Sequence, residues 1–124
     1  ILNYSCFKDE NNNQYYVGKN ALQNNYLSFK LAQPHDLWLH IKDLSGAHVI
    51  IKSNDINDDI LLKGARLALA FSKATINNNY EVQYTLVKNL KKIKGQLGRV
   101  SFTTHQSIIV LNDQQILKEL EQIK

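Results

Sequence analysis

Asp36-Leu37-Trp38-Leu39-His40-Ile41-Lys42, followed after Asp43-Leu44-Ser45-Gly46 by Ala47-His48-Val49-Ile50-Ile51-Lys52, is the stretch on which the fold turns. Side chains on a strand alternate between faces. Leu37, Leu39 and Ile41 therefore share one face, and Asp36, Trp38, His40 and Lys42 share the other. Such alternation predicts a strand, and the turn Asp43–Gly46 predicts that Asp36–Lys42 pairs as a hairpin with Ala47–Lys52. The apolar face belongs to the core. On the opposite face Trp38 offers a stacking surface, while His40 and Lys42 can donate to phosphate or to base edges. The competing arrangement packs Trp38 beneath a helix, with Asp36 and His40 hydrogen-bonded in the interior. Between the two lies a half-buried indole that positions His40, because the polar groups beside it are costly to bury unpaired. His48 depends on register. A four-residue loop pairs Lys42 with Ala47 and turns His48 to the apolar face; a five-residue loop pairs Lys42 with His48 and adds it to the polar face.

Outward from this hairpin, Leu2–Lys8 and Tyr15–Lys19 read as two strands joined by the polar turn Asp9–Gln14, with Tyr4, Phe7, Tyr15, Tyr16 and Val17 as β-prone residues. Asn20 can cap a short helix carrying Leu22, Tyr26 and Phe29, which Pro34 closes. Ile56–Ala74 predicts one long helix, with Asp55, Asp58 and Asp59 at its positive end. Gly64, Ala65, Ala68 and Ala70 let a sheet approach it closely. Tyr80–Val87 alternates, and Arg99–Thr103 and Ser107–Leu111 are two more strands. A terminal amphipathic helix bears Ile116, Leu117, Leu120 and Ile123, capped by Asn112 or Asp113. The pattern is that of an α+β domain: antiparallel hairpins packed on one long central helix, with a short helix in the N-terminal half and an amphipathic helix at the C-terminus. There is no internal repeat and no linker.

The 124 residues, 44% of them hydrophobic, suit a single domain over residues 1–124. No apolar run approaches the roughly 20 residues of a spanning helix, which excludes a membrane-embedded protein. One cysteine, Cys6, cannot form an internal disulfide, so a reducing, cytoplasmic setting is expected. The chain begins with Ile1 and holds no methionine, as expected of a piece excised from a longer protein. The asparagine clusters Asn11–Asn13, Asn24-Asn25 and Asn77–Asn79 are read as turn filler.

Charge is the second informative feature. Lysine and arginine number 15 against 11 acidic residues, a net charge of +4. From Val82 to Asn112 there is no Asp or Glu, and Lys88, Lys91, Lys92, Lys94 and Arg99 all fall there. That segment carries +5 and the remainder −1. Lys91–Arg99 reads as a basic loop between two strands, and its glycines, Gly95 and Gly98, let backbone amides approach an anion. It lacks the Gly and Lys-Ser/Thr pattern of a phosphate loop, which disfavours a nucleotide hydrolase. A zinc site on His40 and His48 would have to recruit Cys6 and His35.

The hairpin run Asp36–Lys52, with Tyr84-Thr85, Lys88, Lys91–Gly95 and Gly98-Arg99-Val100, resembles the NFACT-R domain. Val17-Gly18-Lys19 and Asn24–Ser28 match its earlier motifs, so the resemblance covers nearly the whole chain. Ser45, Ala47, Ile93, Leu97 and Asn25 depart from the usual residues of its turns. The resemblance implies the RNA-binding, non-catalytic C-terminal part of a ribosome-associated quality-control protein that recruits tRNA to a blocked large subunit and promotes template-free tailing of the stalled chain. Its expected partners are tRNA or 50S ribosomal RNA and the other domains of the parent, with no cofactor, no metal and no membrane. The RNA-binding residues expected are Trp38, His40, Lys42, His48, Lys88, Lys91, Lys92, Lys94 and Arg99. Two alternatives stand beside this. One is a cell-surface fibronectin- or fibrinogen-binding adhesin, the older label of the family. The other is a metal-assisted hydrolase or nuclease using Asp36, His40, Asp43 and His48.

Overall fold

The computed structural model describes residues 2–124. In chain order it contains β1 (Ser5–Lys8), β2 (Gln14–Gly18), α1 (Ala21–Tyr26) running into a π-helical turn (Leu27–Leu31), β3 (Leu37–Ile41), β4 (His48–Lys52) and α2 (Asp58–Ala70). β5 (Asn79–Leu86), β6 (Leu90–Lys92), β7 (Val100–Phe102), β8 (Gln106–Leu111), α3 (Ile116–Glu119) and β9 (Glu121–Gln122) follow. Seven strands form one sheet in the order β8-β5-β3-β4-β2-β1-β9, and β6 and β7 form a separate ribbon. Every described pairing is antiparallel. The fold is α+β.

The register Leu37↔Ile51, Trp38↔Ile50, Leu39↔Val49 explains the layers. Odd-numbered residues of β3 and β4 face α2 and enter a core with Phe7, Val17, Leu67 and Ile116. Even-numbered ones face the other way, where Trp38 and Ile50 meet Leu27 of the π turn and Leu90 of the ribbon. β3 and β4 lie mid-sheet and are covered on both faces, so the face of Trp38 is not a solvent face. α2 can lie close because it has Gly64 against the sheet: a Cβ there would stand 2.5 Å from Ile51 Cδ1.

Three expectations need correction. The long central helix Ile56–Ala74 is instead a 13-residue helix on one face of the sheet. Asn57 caps it by accepting from the Ile60 N–H at 2.9 Å. At its far end Ser72 Oγ donates to Leu69 O (2.7 Å), while Phe71 O accepts from Ala47 N and Lys73 N donates to Ser45 O. The chain thus leaves the helix to satisfy the backbone of the β3–β4 connection. The terminal amphipathic helix is a single turn, α3, whose first residue follows Gln115 without a side-chain cap. Gln114 at φ 61 starts it abruptly. Beyond Leu120 the chain extends and pairs with the open edge of β1, Phe7↔Gln122 and Lys8↔Glu121. Asn112 caps nothing; it is buried and donates from Nδ2 to Ala74 O and Thr75 O. Finally, Lys91 and Lys92 lie on strand β6, paired with Ser101 and Val100, so only the residues after them form the loop.

Candidate nucleic-acid interface

The hairpin register is neither of the two expected. Lys42 pairs with neither Ala47 nor His48; carried one step beyond Leu39↔Val49, the observed register sets His48 opposite His40. The parity is that of the five-residue alternative, so both imidazoles and the indole share one face. Their rings form a cluster. His40 stacks on Trp38 at 6.0 Å and 19°, and His48 meets Trp38 edge-on at 5.2 Å and His40 at 5.4 Å. Phe102 of the ribbon closes on Trp38 at 5.7 Å.

Burial separates these residues. Trp38 is 2% exposed, which corrects both the free stacking face and the half-buried indole. Its Nε1 is buried with no acceptor among the protein's own groups. His48 is buried as well. Its N–H donates to Asn24 Oδ1 (3.0 Å), and its Nδ1 shares a 2.9 Å hydrogen bond with Ser28 Oγ. Desolvation, then the neighbouring His40, pushes its pKa down to about 3. It is a neutral strut between β4 and the helix. His40 is half-buried. Desolvation lowers its pKa, with the Arg99 charge adding to the effect and hydrogen bonds to Gly46 and Ile41 opposing it. Asp36 does not bond His40. It is buried in an ion pair with Lys52 and accepts from Gln33 N at 2.7 Å. This breaks the tetrad Asp36, His40, Asp43, His48. No group of three or more His, Cys, Asp or Glu among the described residues is placed to hold a metal.

Above the cluster opens a cleft of about 860 Å³. His40 and His48 lie at its floor, with the start of α1, the β3–β4 turn, the chain after α2 and the ribbon loop as walls. Of the residues singled out from the sequence, the fold brings Trp38, His40, His48 and Arg99 together in it, and it adds Lys19 and Lys73. Lys73 carries no sequence signal of its own, whereas Lys19 belongs to the Val17-Gly18-Lys19 motif. Gly98 sets the loop wall. It sits at φ +79, and a Cβ there would lie 2.6 Å from Ala21 O. The loop is thereby seated on the first residue of α1, and Arg99 follows directly at the cleft.

The other cations lie elsewhere. Lys42 pairs with Glu81 at 3.8 Å and does not line the cleft. Lys92, Lys94 and Arg99 border a second, smaller concavity of about 400 Å³ on the loop, and Lys92 Nζ stands 5.2 Å from the Phe29 ring centre. Lys88, Lys91, Lys92, Lys94 and Arg99 are all exposed. Among the described residues none of these five joins an ion pair, unlike Lys8, Lys42, Lys52, Lys63 and Arg66.

Residues 3–105 match the family described as NFACT protein RNA binding domain. Among curated proteins, the Rqc2 homolog RqcH of Bacillus subtilis is 37% identical over 98 residues, which are 78% of this chain and 17% of that protein. RqcH of Streptococcus suis is 43% identical over 91 residues, 73% of this chain and 16% of its own length. The chain thus spans under a fifth of these relatives. Bovine coiled-coil domain-containing protein 25 is 32% identical over 88% of this chain and 58% of its own length. The solved C-terminal part of the fibronectin/fibrinogen-binding protein from Streptococcus suis superposes with a TM-score of 0.90 at 32% identity. The match covers 98% of this chain and 50% of that one.

Proposed function

The chain belongs to the NFACT protein RNA binding domain family, and from that membership we propose that it is the RNA-binding module of a cytoplasmic ribosome-associated quality-control factor. It contacts tRNA or large-subunit ribosomal RNA while a stalled chain is tailed without a template. The observation that carries this is the placement of charge. Four exposed cations without carboxylate partners, Lys91, Lys92, Lys94 and Arg99, sit on one ribbon and its loop, with a fifth, Lys88, in the turn just before it, beside an aromatic and imidazole cluster. Unpaired cations bind a polyanion without first breaking an ion pair, and they release counterions when they do. The action is binding without turnover: His48 is buried and neutral, Asp36 is committed to Lys52, and no cofactor is called for.

The test is a titration of labelled tRNA at several salt concentrations. With about four phosphates neutralised, log affinity falls with log salt at a slope of roughly −3 to −4. A flat response removes the electrostatic reading. The solved Streptococcus suis relative is a fibronectin/fibrinogen-binding protein, and this favours a second reading, an adhesin for fibronectin or fibrinogen. Immobilised fibronectin in the same salt series separates the two: saturable capture of the chain there, with no tRNA binding, would favour the adhesin.

A further inference from the structure

We propose that the cleft between the ribbon loop and α1 accepts one unpaired nucleotide of RNA, its base laid on His40 and its phosphates held by Arg99, Lys19 and Lys73. This rests on the RNA-binding reading and adds which part of an RNA the domain takes.

Shape comes first. A concave site of about 860 Å³ has the size and form of a small-ligand pocket. The flank of a double helix is convex and presents its bases stacked inward, so it meets the rim without filling the cleft. An unstacked nucleotide can enter. Single-stranded segments are recognised in this way, with splayed bases on aromatic rings.

Chemistry comes second. The floor carries rings among polar groups: His40 faces the cleft with Trp38 and His48 packed against it. His40 lies nearly parallel to Trp38 and is its half-exposed neighbour, so a base stacked on His40 extends an existing stack. Burial disfavours the imidazolium form of His40, which leaves it a flat neutral ring at neutral pH. Trp38 lines the same cleft with a buried N–H that has no acceptor in the protein. Three cations from three separate segments stand on the walls: Lys19 before α1, Lys73 after α2, and Arg99 in the ribbon loop. All three are exposed, and among the described residues none is in an ion pair. The one carboxylate on the walls, Asp43, is exposed in the turn at φ 62. A nucleotide uses both the rings and the cations on the walls.

Trp38 is the only tryptophan, so the cleft carries its own reporter. The test compares three RNAs on the whole chain: a blunt duplex, the same duplex with a four-nucleotide single-stranded tail, and a blunt duplex lengthened to the same phosphate count. The tailed RNA is expected to bind about tenfold more tightly than the lengthened one, the gain of a stacked base, and to change Trp38 emission where the blunt RNAs do not. His40→Ala is expected to abolish that preference. If His40→Ala does not fold, the double variant Lys19→Gln/Lys73→Gln, both exposed positions, serves instead; it is expected to weaken the tailed RNA severalfold more than the lengthened blunt duplex, so that the ratio of the two affinities falls. Equal binding of tailed and lengthened RNA, or a tail preference that survives these substitutions, overturns the proposal while RNA binding stands. Failure of all three RNAs to bind overturns RNA binding itself, and the cleft proposal with it.

Discussion

Trp38 and His48 show how much one residue's meaning depends on what covers it. Both lie on one strand face and both are buried, Trp38 against the π turn and the ribbon and His48 against Asn24 of α1 and Ser28 of the π turn. Trp38→Ala removes the largest buried side chain in the second core, so it is expected to destabilise the domain by about 3–5 kcal/mol. Chemical denaturation of the variant beside the parent measures this; a loss under about 1 kcal/mol would show the indole to be peripheral. His48 gives a pH dependence whose sign is fixed by its environment. An unfolded histidine titrates near 6.5, whereas desolvation and His40 hold folded His48 at about 3. Between those values the unfolded chain binds a proton that the folded one refuses. The stability linked to His48 is therefore full above about pH 6.5 and drains as pH falls toward 3, by up to about 1.4 kcal/mol per pH unit. The shift of His40 has the same sign. Urea unfolding at about pH 7, 6 and 5 should show the decline, and His48→Gln should flatten it. An equal slope in the variant would assign the effect to other groups.

At the scale of elements, the ribbon β6–β7 with its loop is the part whose seating governs the cleft. Gly95 and Gly98 both have positive φ, yet only Gly98 has a neighbour, Ala21, where a Cβ would go. Gly95→Ala is expected to cost about 1 kcal/mol for its backbone conformation alone. Gly98→Ala adds a collision with the backbone of α1 and should cost about 2–3 kcal/mol or unseat the loop. Parallel melting curves and tRNA titrations distinguish the pair: weaker binding is expected for Gly98→Ala, because Arg99 moves with the loop. Equal effects of the two substitutions would mean that contact with α1 is not what seats Arg99.

At the scale of the molecule, the basic segment and the rest of the surface have separate tasks. Acidic residues are tied to lysines and arginine around α2 and the sheet edges, as in Lys63–Asp59 and Arg66–Glu119, while the ribbon cations are unpaired. Lys91→Gln/Lys94→Gln should therefore reduce the salt slope of tRNA binding by roughly 1.5–2, one contact per lysine. Its unfolding free energy should stay within about 0.5 kcal/mol of the parent, as for exposed positions without partners. An unchanged slope would place the phosphate contacts elsewhere.

By itself the sequence determined the α+β class, the hairpin, the Asn20 cap and the segregation of charge, because each follows from alternation, capping chemistry or composition over neighbouring residues. Asn20 Oδ1 does accept from Gln23 N, and Leu37, Leu39 and Ile41 do form the core face. Only the tertiary structure decided that Trp38 is interior, that His48 shares its face through a register not among those expected, and that α2 stops at Ala70. It alone decided that residues 121–122 leave helical geometry to pair with β1, and that Lys19 and Lys73 meet Arg99 around one cleft. The physical reason is common to all of these. A face is polar or buried, a helix continues or ends, and cations gather or scatter according to which distant backbone groups and side chains must be satisfied, and those partners are set by packing, not by neighbours in the chain.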